Sequence, residues 1–348
     1  MSTHRRSSSS GLIDRIRGLE HYWYSKNAVA LALLPLSWVF CTQATLRHWL
    51  HLRGNPSRPR LPVPVIVVGN ISVGGTGKTP LVIWLAELLK ASGFKTGIIS
   101  RGYGGKGTQW PQRVTGESDP YLVGDEPVLI AKRCHCPTVV APRRNEAARA
   151  LLAQYDCDVL ISDDGLQHYG LIRDIEIAVV DGDRGLGNGW CLPAGPLRER
   201  PVRLRDVDFV VTQGASDSAD YTMMLRGKCL VNLCDCGITR SLNKFLRKPV
   251  HAVAGIANPA RFFDRLTARG LQIQAHAFPD HHRFTKADID FGDRRPVLMT
   301  EKDAVKCRGF ARPHHWYLPV SAVLSECFAQ QVLGKLRSRM AAFAGIGK

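Results

Sequence analysis

The chain has 348 residues, with 47 Lys and Arg against 30 Asp and Glu, for a formal charge of +17. That length allows one large or two medium α/β domains with sizeable cores, and the charge calls for an anionic partner: nucleic acid, an anionic membrane surface or a phosphorylated substrate. The ten cysteines include no CxxC pair, and the one-residue spacing of Cys134 and Cys136, and of Cys234 and Cys236, suits neither a tetrahedral zinc site nor a disulfide framework; free thiols in a reducing cytoplasm fit better.

Residues 1–10 are polar and Ser-rich, a composition that predicts disorder. Arg15 and Arg17 then mix with Leu12, Ile13, Tyr22 and Trp23, ahead of the most apolar stretch, Ala28 to Cys41, which only Pro35 and Ser37 interrupt. As a helix this stretch spans roughly 21 Å, short of a ~30 Å hydrocarbon core. Arg47 and His48 next interleave with Leu46, Trp49 and Leu50 in an amphipathic pattern. No small-residue cleavage site follows, which argues against a signal peptide. The expectation is an anchor at a membrane surface; a single span and a helix packed on the protein's own core stay open. Arg53 to Pro64, rich in proline, reads as an extended linker.

Val63 to Pro80 reads VPVIVVGNISVGGTGKTP. A β-branched run feeds a glycine-rich turn, and a helix-forming run, Leu81 to Lys90, follows. In a strand–loop–helix unit of this kind backbone N–H groups and the helix N-terminus attract phosphate. Lys78 is placed to reach the β- and γ-phosphates and the Thr79 hydroxyl to ligate Mg²⁺, so that Ser72, Val73, Gly74, Gly75, Thr76, Gly77, Lys78 and Thr79 form the predicted ATP cradle. Ser72 stands where the usual pattern has glycine. Val73 stands where a membrane-cycling ATPase subclass has lysine.

Beyond it the sequence predicts a strand at Thr96 to Ser100 delivering Arg101 and a glycine-rich turn, a helix opened by Gly124-Asp125-Glu126-Pro127, a strand at Pro137 to Ala141 and a helix at Arg143 to Tyr155. Asp158 to Gly165, DVLISDDG, is the second informative site: Val159 to Ile161 make a buried parallel strand with Asp163 and Asp164 at its C-terminal end, the edge where open α/β sheets bind ligands. One of two adjacent carboxylates there can hold a metal while the other accepts a proton. After a strand at Asp174 to Asp181, a long glycine-rich loop carries Arg184, Arg198 and Arg200 and is read as contacting substrate. A further strand is expected at Val207 to Thr212, and the domain boundary after it. A second βα series then runs through Pro249–Ala254, Pro259–Arg269, Leu271–Ala277, Pro296–Thr300, Trp316–Val320 and a basic helix at Cys327–Met340; Asp280, His281 and His282 follow its second strand and Glu301-Lys302-Asp303 its third.

Seven segments in this order resemble the tetraacyldisaccharide 4'-kinase family: GNISVGGTGKTP, SRGYGG, GDEP, DDGLQHYGLIRD, GNGWCLPAGPLRE, FPDHHRF and TEKDAVK. The resemblance implies a P-loop NTPase-type α/β fold, a mostly parallel sheet flanked by helices with a smaller second α/β lobe and an N-terminal membrane-associating helix. It implies transfer of the γ-phosphate of MgATP to the 4'-hydroxyl of a tetraacylated glucosamine disaccharide 1-phosphate, on the cytoplasmic face of the inner membrane, with ATP and Mg²⁺ as cofactors. The expected domains are a membrane-associating segment 1–55, a kinase core 56–220 and a closing lobe 221–348, whose last helix is a candidate to return to the core. Expected roles are catalysis by Asp163, His281 and Lys78, with His281 pairing the base across the cleft when the lobes close; metal binding by Thr79 and Asp164; and phosphate or sugar contact by Arg101, Arg184 and Arg198. The partners are an anionic glycolipid and the membrane surface, with no nucleic acid and no obligate protein partner. A membrane-associated regulatory P-loop ATPase is the alternative, which Val73 argues against. A nucleic-acid-binding NTPase rests on charge alone, without aromatic-rich binding motifs.

Overall fold

The computed structural model describes residues 20–53, 60–216 and 219–346. The readings of the Ser-rich tail, of Arg15 and Arg17, and of the middle of the proline-rich linker lie outside those residues. Eight strands come first: β1 (Val65–Gly69), β2 (Thr96–Ser100), β3 (Gln112–Val114), β4 (Thr138–Val140), β5 (Val159–Asp163), β6 (Ile175–Asp181), β7 (Phe209–Gln213) and β8 (Tyr221–Arg226). The chain then builds a second sheet from β9 (Cys229–Asn232), β10 (Thr239–Ser241), β11 (Val250–Ala254), β12 (Ile273–Ala277), β13 (Val297–Thr300) and β14 (His315–Leu318), and returns to the first with β15 (Ser321–Val323).

The first sheet has the order β15-β8-β7-β6-β1-β5-β2-β4-β3 and is parallel except for the edge strands β15 and β3. Its centre is apolar on both faces, as a parallel sheet covered by helices requires. Ile66 and Val68 pack with helices Lys78–Ala91, Asp125–Cys134 and Glu326–Ile346, whereas Val65 and Val67 pack with helix Arg144–Gln154. That alternation is the period-two geometry of a strand. In the second lobe the order is β10-β9-β14-β13-β11-β12. Helix Pro259–Ala268 covers one face through Phe262 and Leu266, and helix Glu301–Cys307 the other through Ala304 and Cys307.

The switch between lobes comes later than the expected division at 220. Tyr221–Arg226 pairs in parallel with β7, so it belongs to the first sheet and the chain crosses after Arg226. β8, β9 and β10 carry no sequence signal strong enough to assign: they are short, and β10 is exposed throughout. The final helix packs Phe328, Val332 and Leu336 into the first lobe's core.

The N-terminal apolar stretch forms two helices, Ala28–Ala32 and Leu34–Leu52. The Asn27 side chain accepts from the Ala30 N–H (2.9 Å) and caps the first; Pro35 occupies the first turn of the second, where its missing N–H costs nothing. Ser37 and Cys41 face the protein: Ser37 Oγ donates to the Cys191 carbonyl (2.7 Å), and Cys41 clusters with Cys191 and Leu197. The opposite side leaves Leu31, Leu36, Trp38, Val39, Leu46, Trp49 and Leu50 exposed, Val39 at 71%. Among the described residues no helix is long and apolar enough to cross a membrane.

Candidate active site

The phosphate loop lies between β1 and helix Lys78–Ala91, at the C-terminal edge of the sheet. Gly74 and Gly77 adopt left-handed backbone (φ 103° and 88°). At Gly77 a Cβ would also stand 2.7 Å from Gln213 Oε1, so a side chain at the turn into the helix would be strained. Asn70 Nδ2 donates to Thr76 Oγ1 (3.0 Å) beneath the loop, and the loop's outer strand is stitched to the glycine-rich segment by Val73 N–H to Pro196 O (2.8 Å) and Arg198 N–H to Ile71 O (2.6 Å). The long loop is thereby part of the cradle's wall.

The two aspartates end β5, next to the phosphate loop's own strand. Asp164 has positive φ (46°), which turns its side chain back towards the loop: Lys78 Nζ lies 3.5 Å and Arg198 Nη1 3.2 Å from Asp164 Oδ1. Burial alone would raise the Asp164 carboxyl; Lys78, Arg198 and Arg144 outweigh it and hold the group well below the usual carboxylate range. Asp163 is fully buried. Ser100 Oγ donates to its Oδ2 (3.3 Å), while Oδ1 has no hydrogen-bond partner. Burial, reinforced by Glu126 and Asp164, pushes its pKa up to about 7. Arg144, buried behind the pair, donates to the backbone carbonyl of Asp163 (3.1 Å) and fixes the turn.

His281 does not pair with Asp163. The structure corrects that expectation: His281 Nδ1 lies 3.1 Å from Asp125 Oδ1, across the boundary between the lobes. Asp125 opens helix Asp125–Cys134 of the first lobe; His281 follows β12 of the second, with left-handed backbone (φ 58°). The ring sits edge-on to Tyr103 (5.2 Å between centroids), and Gly104 leaves it room, since a Cβ there would come within 3.2 Å of Nδ1. Nε2 is 3.6 Å from Asp280 Oδ2, too long for a good hydrogen bond, and His281 lines the cleft. Burial would lower the His281 pKa, but the hydrogen bond with Asp125 raises it above its ordinary value. For Asp125 burial opposes ionisation, and Lys302 and His281 prevail, holding the carboxyl well below the usual range.

Lys302 completes this cluster. Its Nζ donates to Glu126 Oε1 (3.0 Å) and Asp280 Oδ1 (3.1 Å) and lies 3.9 Å from Asp125 Oδ2. The segments GDEP, FPDHH and TEKDAVK therefore meet. The sequence marks the first as a helix start and leaves the third open between an exposed charge cluster and a functional one; Glu301, Asp303 and Lys306 are buried. The available signal was a run of mixed charge directly after a buried strand.

Phosphate loop, aspartate pair and cross-lobe cluster all line one cleft of about 1060 Å³. Arg101 reaches into it and Arg198 enters bound to Asp164 and to Gln167 Oε1 (3.3 Å). Arg184 lies apart, in a niche beside Gly74, with its guanidinium over the Tyr24 ring (5.4 Å). Arg261 of the second lobe, unforeseen, pairs with Asp181 (3.3 Å) and Asp183 (3.1 Å) at the end of β6. At its far end the cleft reaches Trp23, Phe40, Gln43 and Arg47 of the N-terminal segment.

The family described as Tetraacyldisaccharide-1-P 4'-kinase matches residues 29–337. Proteins named tetraacyldisaccharide 4'-kinase are 53% identical in Nitrosococcus oceani, over 91% of this chain and 93% of that protein, and 50% identical in Alcanivorax borkumensis, over 90% and 95%. A crystal structure of Aquifex aeolicus LpxK in complex with ATP superposes with a TM-score of 0.73 at 30% identity, covering 90% of this chain and 99% of that one. Motifs, fold and near full-length identity agree, and the chain belongs to the tetraacyldisaccharide 4'-kinase family.

Proposed function

We propose that this chain transfers the γ-phosphate of ATP to the 4'-hydroxyl of a tetraacylated glucosamine disaccharide 1-phosphate, working at the cytoplasmic surface of the inner membrane. The observation that carries the reading is a cleft that joins a phosphate cradle, an aspartate pair and a carboxylate-oriented histidine to the N-terminal helix at Phe40, Gln43 and Arg47. Ser72 to Thr79 hold the triphosphate, with Lys78 neutralising its charge. The donor set fits Mg²⁺: Thr79, Asp163 and Asp164 supply hard oxygens, and the buried, unpartnered Oδ1 of Asp163 calls for a cation or a water bound to one. When bound, Mg²⁺ neutralises charge on the transferring phosphate and orients it.

His281 takes the acceptor proton at Nε2. Asp125 holds the ring through Nδ1 and favours the imidazolium that forms, the arrangement by which a positioned base activates a hydroxyl. Asp163 moves from base to the metal side under this reading. A second reading keeps Asp163 as the base and rests on its pKa of about 7; a cation beside it would lower that value. Incubation with γ-labelled ATP and the purified lipid acceptor separates the two. His281→Gln and Asp125→Asn are each expected to cut kcat about 100-fold or more with ATP affinity kept, while Asp163→Asn raises the Mg²⁺ requirement. Near-normal turnover by His281→Gln returns the base to Asp163. Rapid ATP hydrolysis without lipid, and no labelled lipid, would instead favour a regulatory ATPase.

The acceptor's acyl chains stay in the bilayer, so the enzyme must work where the head group lies. The exposed face of helix Leu34–Leu52, with Trp38 and Trp49, and the excess positive charge support docking on an anionic surface, each well-placed basic residue adding about 1 kcal/mol. Arg101 and Arg198 are proposed to contact the phosphates or sugar inside the cleft, and Arg184 to do so from its rim.

A further inference from the structure

We propose that Lys302 is a positioning residue for phosphoryl transfer: its buried ammonium, shared by Asp125 and Glu126 of one lobe and Asp280 of the other, sets the charge and orientation of the His281–Asp125 pair when the lobes are closed. The proposal rests on the reading that this pair accepts the proton.

The geometry is that of a single cation answering three carboxylates. Lys302 Nζ lies 3.0 Å from Glu126, 3.1 Å from Asp280 and 3.9 Å from Asp125, with its side chain 15% exposed. Lys306, one helical turn on, sits mainly on Asp303, its Nζ 2.8 Å away, and touches the cluster only through Asp125 at 3.6 Å. Asp303 is in turn fixed by the Gly255 N–H (2.9 Å) and the Thr300 hydroxyl (2.6 Å). The remaining groups around the imidazole are the Tyr103 ring and His282, which pairs with Asp288 (3.2 Å). Among the described residues the carboxylates Asp125, Glu126 and Asp280 thus outnumber the cations that pair with them, Lys302 and, on Asp125 alone, Lys306. Since Glu126 and Asp280 lie in different lobes, the ammonium bridges the two lobes.

The consequence follows from charge. A cation beside a histidine disfavours the imidazolium; without it the three carboxylates hold the proton on His281. A histidine already protonated cannot accept from the hydroxyl. Losing Lys302 therefore moves the acid limb of the rate profile to higher pH and lowers kcat, with little change in how ATP is held.

The test is the pH dependence of kcat and KM for the full-length enzyme with MgATP and the lipid acceptor in mixed micelles. Lys302→Met is expected to move the acid limb up by at least about one pH unit, to cut kcat at neutral pH about tenfold or more, and to leave KM for ATP within about twofold. Lys302→Arg returns the limb towards the wild-type position. Should Lys302→Met fail to fold, Asp280→Asn decides from the opposite direction: removing a carboxylate moves the acid limb down. A limb that stays put in Lys302→Met or Asp280→Asn, whatever the change in kcat, reduces Lys302 to a structural ion pair and overturns the proposal. His281→Gln tells the two levels apart. A wild-type rate there sinks the underlying assignment, whereas a slow His281→Gln beside an unaltered Lys302→Met sinks only the role of Lys302.

Discussion

Asp125 and Asp163 carry the same side chain, both buried, and fall on opposite sides of ordinary carboxylate behaviour. The difference is the cations they face. Lys302 and His281 outweigh burial at Asp125, whereas Lys78 and Arg144 do not at Asp163, where Glu126 and Asp164 add to it. A base must be unprotonated to act, and the folded His281 binds its proton more tightly than a free imidazole. The kcat/KM profile of the free enzyme is therefore expected to fall as pH drops through a value above 6.5; an acid limb well below it contradicts this. Gly77→Ala forces a Cβ against Gln213 in left-handed backbone. It should weaken ATP at least about tenfold by calorimetry, and unchanged affinity would count against the cradle. The sequence made Lys78, Thr79, Asp163 and Asp164 legible because each sits in a local strand-end motif. It hid Asp125–His281 and Glu126–Lys302, whose partners are 156 and 176 residues apart; no local periodicity reports a contact made only when two lobes meet.

At the level of elements, helix Leu34–Leu52 shows one sequence pattern serving two contacts. Ser37 and Cys41 dock on the Cys191 loop while Leu36, Trp38 and Val39 face outward. Leu36→Glu with Val39→Glu should leave the fold and ATP affinity intact yet release the protein from vesicles containing anionic lipid, read by co-sedimentation. Persistent binding would place the membrane surface elsewhere. The strands of the first sheet's centre were readable as β-branched runs because both their faces are buried. Gln112–Val114, Tyr221–Arg226 and Thr239–Ser241 were not: the first and last are edge strands, Tyr221–Arg226 lies one strand in, and partial exposure leaves all three with mixed composition.

Taken whole, the molecule is a first lobe into which the second is inserted. The chain leaves after Arg226 and returns after Leu318, and the two crossings touch, a Cβ on Gly227 falling 2.8 Å from the Pro319 carbonyl. A lobe on two adjacent tethers can swing about one axis, which suits closure around a nucleotide. Ending the chain at Val320 would strip Phe328 from its stack on Trp84 (5.5 Å) and its tilted contact with Tyr221 (4.9 Å). The truncated protein should lose cooperative urea unfolding, followed by tryptophan fluorescence; a wild-type midpoint would show that the last helix is dispensable.

That insertion also fixes an order of events at the ribosome. Synthesis delivers the catalytic strands early, but the β15 edge and the helix that seals the sheet's face emerge last. While the second lobe is being made, the ATP-binding half waits with a greasy flank uncovered, beside an N-terminal helix whose own apolar side chains are exposed. Nascent chains of this protein should therefore depend on holdase chaperones until their final residues clear the exit tunnel.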